Sequence, residues 1–165
     1  MQVAMIMGSD SDWPRLEAGW ELLREFGIDV SVRVLSAHRT PAACAEFVQA
    51  AEAAGAQVFI AAAGLAAHLP GVVAAHTRRP VIGVPLAAGP LQGQDALYSV
   101  VQMPPGVPVA AVGIDNARNA ALLAAEILAL ANSNIDAALV QYRRLQTEKV
   151  LKKDEQLQAK LGAEK

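Results

Sequence analysis

Five apolar runs of strand length, each trailed by a longer segment with helical spacing, constrain this chain more than any other feature. QVAMIM (2–7), VSVRVL (30–35), QVFIAAA (57–63), PVIGVP (80–85) and VPVAAVGI (107–114) read as strands. Helices are predicted over about 13–26, 41–54, 66–76 and 93–101, and from Asn116 to Ala131. Strands that stay apolar along their whole length are buried on both faces, and their alternation with helices implies parallel strands joined by crossovers. The expected fold class is therefore α/β: a three-layer α/β/α sandwich around a five-stranded parallel sheet, doubly wound and without internal repeat. In such sheets ligands collect outside the carboxyl ends of the strands.

A chain of 165 residues is long enough for one domain with a real core. Hydrophobic residues make up 53% of it, charged ones 18% and aromatics only 4%, so Ala, Val, Leu and Ile must fill the interior. So much apolar surface with so few charges implies burial against further copies, and a homo-oligomer is expected. The helix NARNAALLAAEILALA, apolar nearly all round, points the same way. A last helix starts near Ile135 and carries Ile135, Leu139 and Tyr142 on one stripe, which is expected to pack on a neighbouring subunit. Residues 1–150 read as a single domain. The mixed-charge run EKVLKKDEQLQAKLGAEK makes 151–165 a helical extension or tail, solvated or frayed.

A net charge of -2 argues against a nucleic-acid binder while leaving room for one local phosphate site. The single cysteine, Cys44, falls in a predicted helix and forms no internal disulfide, which fits a reducing cytoplasm and a small buried apolar role. The start, MQVAMIMGSD, lacks a basic flank and a cleavage site, so no signal peptide is expected. The most membrane-like window, AQVFIAAAGLAAHLPGVVAA, is broken by Gln57, His68 and Pro70 and reads as strand, loop and helix rather than a membrane span.

Nearly all the unusual polar chemistry lies in three strand-to-helix loops. In GSDSDWP (8–14), Gly8 permits a tight turn, Ser9 and Asp12 can accept from open amides, and Pro14 suits a first helical turn. In SAHRTP (36–41), Thr40 is a candidate cap and Pro41 a first helical residue. AGLAAHLPG (63–71) has a glycine turn and a histidine before Leu-Pro. Helix starts expose amides and the positive end of the dipole, which favours phosphate. Ser9, Asp12 and Thr40 could equally be caps and nothing more, but three such loops at one sheet edge are a stronger signal than any one. Asp10 and Asp12 disfavour phosphate at close range, so Asp12 suits hydroxyls such as those of a ribose.

Other site types fit poorly. GSDSD is not G-x-G-x-x-G, and no G-x-x-x-x-G-K-[ST] or G-x-S-x-G is present. His38, His68 and His76 lack metal-ligand spacing, so no metal is expected. His38 and Arg39 sit side by side in a turn. Arginine is permanently charged and forks onto phosphate, whereas histidine titrates near neutrality and can both give and take a proton. The plain alternative for His38 is a surface turn residue. His76 reads as structural, and Arg78 and Arg79 as solvated loop charges.

Taken together and in order, GSDSD, SAHRTP, AGLAAHLPG, GVP (83–85) and LQGQDALYSVVQMPPGVPV (91–109) closely resemble the carboxyaminoimidazole ribonucleotide mutases, the PurE family of purine biosynthesis, from about residue 3 to Val150. That resemblance implies a flavodoxin-like sandwich, an octamer, no metal or organic cofactor, and a ribonucleotide substrate. It also implies the reaction: carboxylate leaves the exocyclic nitrogen as carbon dioxide, which stays trapped until the ring carbon attacks it. His38 matches the family's general acid/base, and Ser9, Asp12 and Arg39 its substrate-binding positions, with Arg39 on the 5′-phosphate and Asp12 on the ribose. Ser11 and Ser36 would assist at the phosphate. Gly64, Ala67, His68 and Leu69 match the loop that closes over base and carbon dioxide, where a dry pocket suits a neutral gas. SAHR, rather than SAHK, resembles the mutase class more than the class using free carbon dioxide; direct carboxylation is the alternative within the family, and a nucleotide-binding α/β domain without catalysis the alternative outside it. The family commonly has glycine where Leu65 stands. Leucine takes neither positive φ nor close backbone approach cheaply, which calls the family's shape for this loop, and the activity, into question.

Overall fold

The computed structural model describes residues 2–163. Its elements run β1 (Val3–Met7), α1 (Trp13–Glu25), β2 (Val30–Val34), α2 (Pro41–Ala53), β3 (Val58–Gly64), α3 (Leu69–Ala75), β4 (Val81–Leu86), α4 (Gln94–Val101), β5 (Ala110–Ala111), α5 (Ala117–Ala129) and α6 (Ser133–Ala163). All strand pairs are parallel, in the order β2-β1-β3-β4-β5. The expected five-stranded, doubly wound sandwich is what forms. The chain leaves β1 toward β2 on one side and resumes at β3 on the other, so the winding reverses beside β1. That reversal opens a crevice at the carboxyl ends of the strands.

Side-chain alternation sorts the strands onto two cores. Val3, Met5, Met7, Ile60, Ala62, Ile82 and Val84 face the cluster formed with α1, α5 and the start of α6. Ala4, Ile6, Phe59, Ala61 and Val81 face the cluster formed with α2, α3 and α4. β1 is wholly buried and β3 nearly so, while β2, at the sheet edge, is only half covered. Cys44 is fully buried in the second cluster, and desolvation pushes its thiol pKa up.

Three expectations are corrected. The run 107–114 forms only a two-residue strand: Pro108 has no amide to give, and beyond Ala111 single bonds from Val112 to Gly83 O and Asp115 to Pro85 O replace a regular ladder. The third helix starts at Leu69 rather than near 66, because Ala66–His68 close a tight turn first (His68 N–H to Ala66 O, 2.8 Å). The stripe of Ile135, Leu139 and Tyr142 is used within its own chain: the first two are buried in the core and Tyr142 meets Phe26 edge-on at 5.7 Å. The same packing explains why α5 is apolar nearly all round, since α1, the sheet and α6 cover it. Asn132 Oδ1 caps α6 by accepting from the amides of Asn134 and Ile135. α6 then continues unbroken through the charged segment, exposed from Arg143 to Gly162. Among the described residues, no helix is long and apolar enough to cross a membrane.

Candidate active site

The three loops singled out in the sequence meet at the reversal point, around a cleft of about 520 Å³. Gly8, Ser9, Ser11, Asp12, Ser36, His38, Arg39, Gly64, His68 and Leu69 all line it.

The first loop is organised by a reciprocal capping box. Ser9 Oγ accepts from the Ser11 amide (3.3 Å), and Asp12 Oδ2 accepts from the Ser9 amide (3.1 Å). Ser11 Oγ lies 2.8 Å from Ser9 Oγ, so the two hydroxyls are already paired at the rim. Burial raises the Asp12 carboxyl above its ordinary 3.8, against the Ser9 amide and the Arg15 guanidinium, which lower it.

The second loop closes on itself. Ser36 N–H donates to Thr40 Oγ1 (2.9 Å), and that hydroxyl donates to Ser36 O (3.1 Å). Thr40 thus ties the turn together rather than capping α2 with its side chain, and Pro41 opens the helix. Arg39 is fixed at both ends. Its backbone and Nε donate to Ser36 Oγ (3.2 and 3.5 Å), and Nη2 donates to Gly8 O (3.2 Å). A permanent cation is thereby held between the first two loops, facing the cleft.

The third loop holds two findings that the sequence did not supply. Leu65 adopts φ +56°, so the backbone takes a left-handed turn despite its leucine. Its Cδ2 would lie 2.6 Å from a Cβ on Gly89, so that glycine makes room for the leucine. A Cβ on Gly64 would lie 2.6 Å from Ala88 Cβ, so the loop after β4 packs directly on this one and Ala88 joins the cleft wall. Second, His38 Nε2 and His68 Nδ1 lie 2.7 Å apart with the rings nearly perpendicular. Two N–H groups cannot face each other at that distance, so one ring donates and the other accepts, the roles set by the tautomers. Nothing local could have revealed a pair separated by thirty residues.

Ala67 is the one expected site residue that does not line the cleft; it is buried beneath the loop in the second core cluster. His76 ends α3, away from these loops, and Arg79 is not simply solvated, since it and Thr77 both engage Glu52. Among the described residues, no group of three or more His, Cys, Asp or Glu side chains could hold a metal ion.

A family model described as AIR carboxylase matches residues 2–149. N5-carboxyaminoimidazole ribonucleotide mutase from Methanocaldococcus jannaschii is 54% identical over 155 residues, covering 94% of this chain and 96% of that one. The protein of the same name from Mycobacterium tuberculosis is 50% identical over 161 residues, covering 98% and 92%. The crystal structure of Treponema denticola PurE superposes with a TM-score of 0.87 at 31% identity, covering 94% of this chain and 98% of that one.

Proposed function

The chain belongs to the AIR carboxylase family, and from that premise we propose that it converts N5-carboxyaminoimidazole ribonucleotide to 4-carboxy-5-aminoimidazole ribonucleotide, an isomerisation of de novo purine biosynthesis. The observation that carries the reading is the meeting of His38, with its partner His68, and the clamped Arg39 in one cleft at the sheet's reversal point.

The two halves of the reaction need one proton carrier. In the first, the carboxyl carbon–nitrogen bond breaks, carbon dioxide departs, and the electron pair left on the exocyclic nitrogen takes a proton from His38. In the second, ring carbon 4 attacks the carbon dioxide, and His38 takes the proton that this carbon must shed to restore aromaticity. Proton and carboxylate balance, so neither metal nor organic cofactor is called for. His68 suits a partner that keeps the His38 ring oriented while its proton is given up in the first half and regained in the second. Arg39 forks onto the 5′-phosphate with help from Ser36, Ser9 and Ser11, and Asp12 accepts from the ribose hydroxyls. Gly64, Leu69 and the backbone of the third loop cover the base and the carbon dioxide, with Ala67 supporting the loop from below. The working assembly is a homo-oligomer, taken as an octamer and cytoplasmic, with residues 1–150 as the mutase domain; exposed Leu130, Val140 and Val150 are apolar surface of the kind that such contacts cover.

The test is His38→Asn. Conversion should fall by about 10²- to 10⁴-fold, with binding of aminoimidazole ribonucleotide nearly unchanged. A variant within a few-fold of the parent rate refutes the assignment. Supplying aminoimidazole ribonucleotide and carbon dioxide instead tests direct carboxylation, and fast turnover by that route alone would overturn the mutase reading.

A further inference from the structure

We propose that Arg15 and Asp115, both outside the three signature loops, are positioning residues for this reaction: together they grip the two ends of residue 87 and so hold the loop after β4, with Ala88, against the closing loop. The proposal rests on the mutase reading above and extends it to a fourth wall of the cleft.

β5 stops at Ala111, but its chain continues beside β4. The Asp115 amide donates to Pro85 O (2.9 Å), and Asp115 Oδ1 then accepts from the Ala87 amide (3.0 Å). A carboxylate therefore makes the next bond of the ladder, where a backbone carbonyl would otherwise stand. It reaches that place because Asp115 sits at φ +55°, a conformation that aspartate tolerates better than most residues. From the other side, Arg15 Nη2 donates to Ala87 O (2.9 Å) while its Nε lies 3.4 Å from Asp115 Oδ1. Donor and acceptor of one residue are thus both held by members of a single ion pair, one from the first turn of α1 and one from the loop before α5.

Such a half-exposed pair adds little to overall stability. Its consequence is positional. One residue on, Ala88 lines the cleft and abuts Gly64, and Gly89 receives the Leu65 side chain. The pair also lies within electrostatic reach of Asp12, whose carboxyl Arg15 lowers and Asp115 raises. Because the gripped loop packs on Gly64 and Leu65, whereas Arg39 is held by Ser36 and Gly8, its release should spare anchoring of the phosphate and spoil containment of carbon dioxide.

The experiment compares the full chain with Arg15→Ala, Asp115→Gly and Asp115→Asn. Glycine tolerates the positive φ, so Asp115→Gly removes the carboxylate without straining the backbone, and asparagine keeps an acceptor for the Ala87 amide. Arg15→Ala and Asp115→Gly are expected to lose about 10- to 100-fold in kcat with KM changed less than about threefold, and to release free aminoimidazole ribonucleotide during turnover. Asp115→Asn should recover most of the loss. A parent that turns over normally beside Ala and Gly variants of unchanged kcat and no added release overturns the positioning role and leaves the mutase reading intact. So does an Asn variant as poor as the Gly one. A parent that does not isomerise the substrate overturns the mutase reading itself, and this proposal with it.

Discussion

Replacing Gly64 with alanine tests whether the closing loop and the loop after β4 work as one unit. The added Cβ would stand 2.6 Å from Ala88 Cβ and 3.3 Å from Leu86 O, against an ordinary carbon–carbon contact of about 3.5–4.0 Å. One loop must therefore retreat by roughly 1 Å. Overpacking of this kind costs about 1–3 kcal/mol. Gly64 is not at positive φ, so alanine regains about 0.4–1 kcal/mol by stiffening the unfolded chain. The net expectation is a loss of about 1–2 kcal/mol, or a fall in Tm of roughly 2–8 °C for a chain of this length. Turnover should drop about 10- to 100-fold, because a displacement of 1 Å at a reacting centre has that effect. Ala88→Gly removes the opposing methyl, so the double variant Gly64→Ala/Ala88→Gly should recover both quantities, with a coupling energy of about 1 kcal/mol or more. Thermal or urea denaturation and steady-state kinetics on the four proteins of the cycle supply the numbers. Effects that add to within about 0.5 kcal/mol would refute direct contact between the loops.

Three shorter predictions follow from the same cleft. Arg39→Lys should raise the Michaelis constant by about tenfold or more through loss of the fork on phosphate; unchanged kinetics would remove Arg39 from that role. Asp12 has its carboxyl raised above 3.8, so in the interval between that value and its folded one the folded chain binds more protons than the unfolded chain. Its contribution is fully present below the unfolded value and is lost as pH rises through the folded one. Melting curves between about pH 3 and 6 should therefore show the parent losing ground to Asp12→Asn as pH rises, and parallel curves would contradict the shift. Leu65→Gly relieves a left-handed leucine worth roughly 1 kcal/mol but forfeits its half-buried contact with Gly89. Activity should be kept or raised and stability altered by under about 1 kcal/mol; a large fall in rate would make the leucine itself necessary for closure.

What the sequence disclosed, and what it hid, divides along the range of the interactions. β1, β3 and β4 were legible because burial on both faces writes itself as an unbroken apolar run, and the loop glycines, serines and prolines marked where helices begin. The short β5 was not, since apolar character says nothing about which amides find a ladder partner. The stripe on α6 was correctly seen as apolar but assigned to the wrong surface, because periodicity tells which face is buried and never against what. The histidine pair depends on the strand order β2-β1-β3, and the grip of Arg15 and Asp115 on Ala87 on the pairing β4-β5 together with the packing of α1 on α5. Leu65 is the instructive reversal: its residue type argues against a left-handed turn, yet the loop keeps one, with Gly89 leaving room for the side chain.

Cys44, sealed inside the second core, leaves the chain a clean background for thiol chemistry. A thiol-reactive dye offered to the folded protein would find no native thiol at its surface. A cysteine engineered at Ala88 would then be the sole thiol within reach, and a fluorescence or spin signal there would tell whether this wall of the cleft moves during turnover.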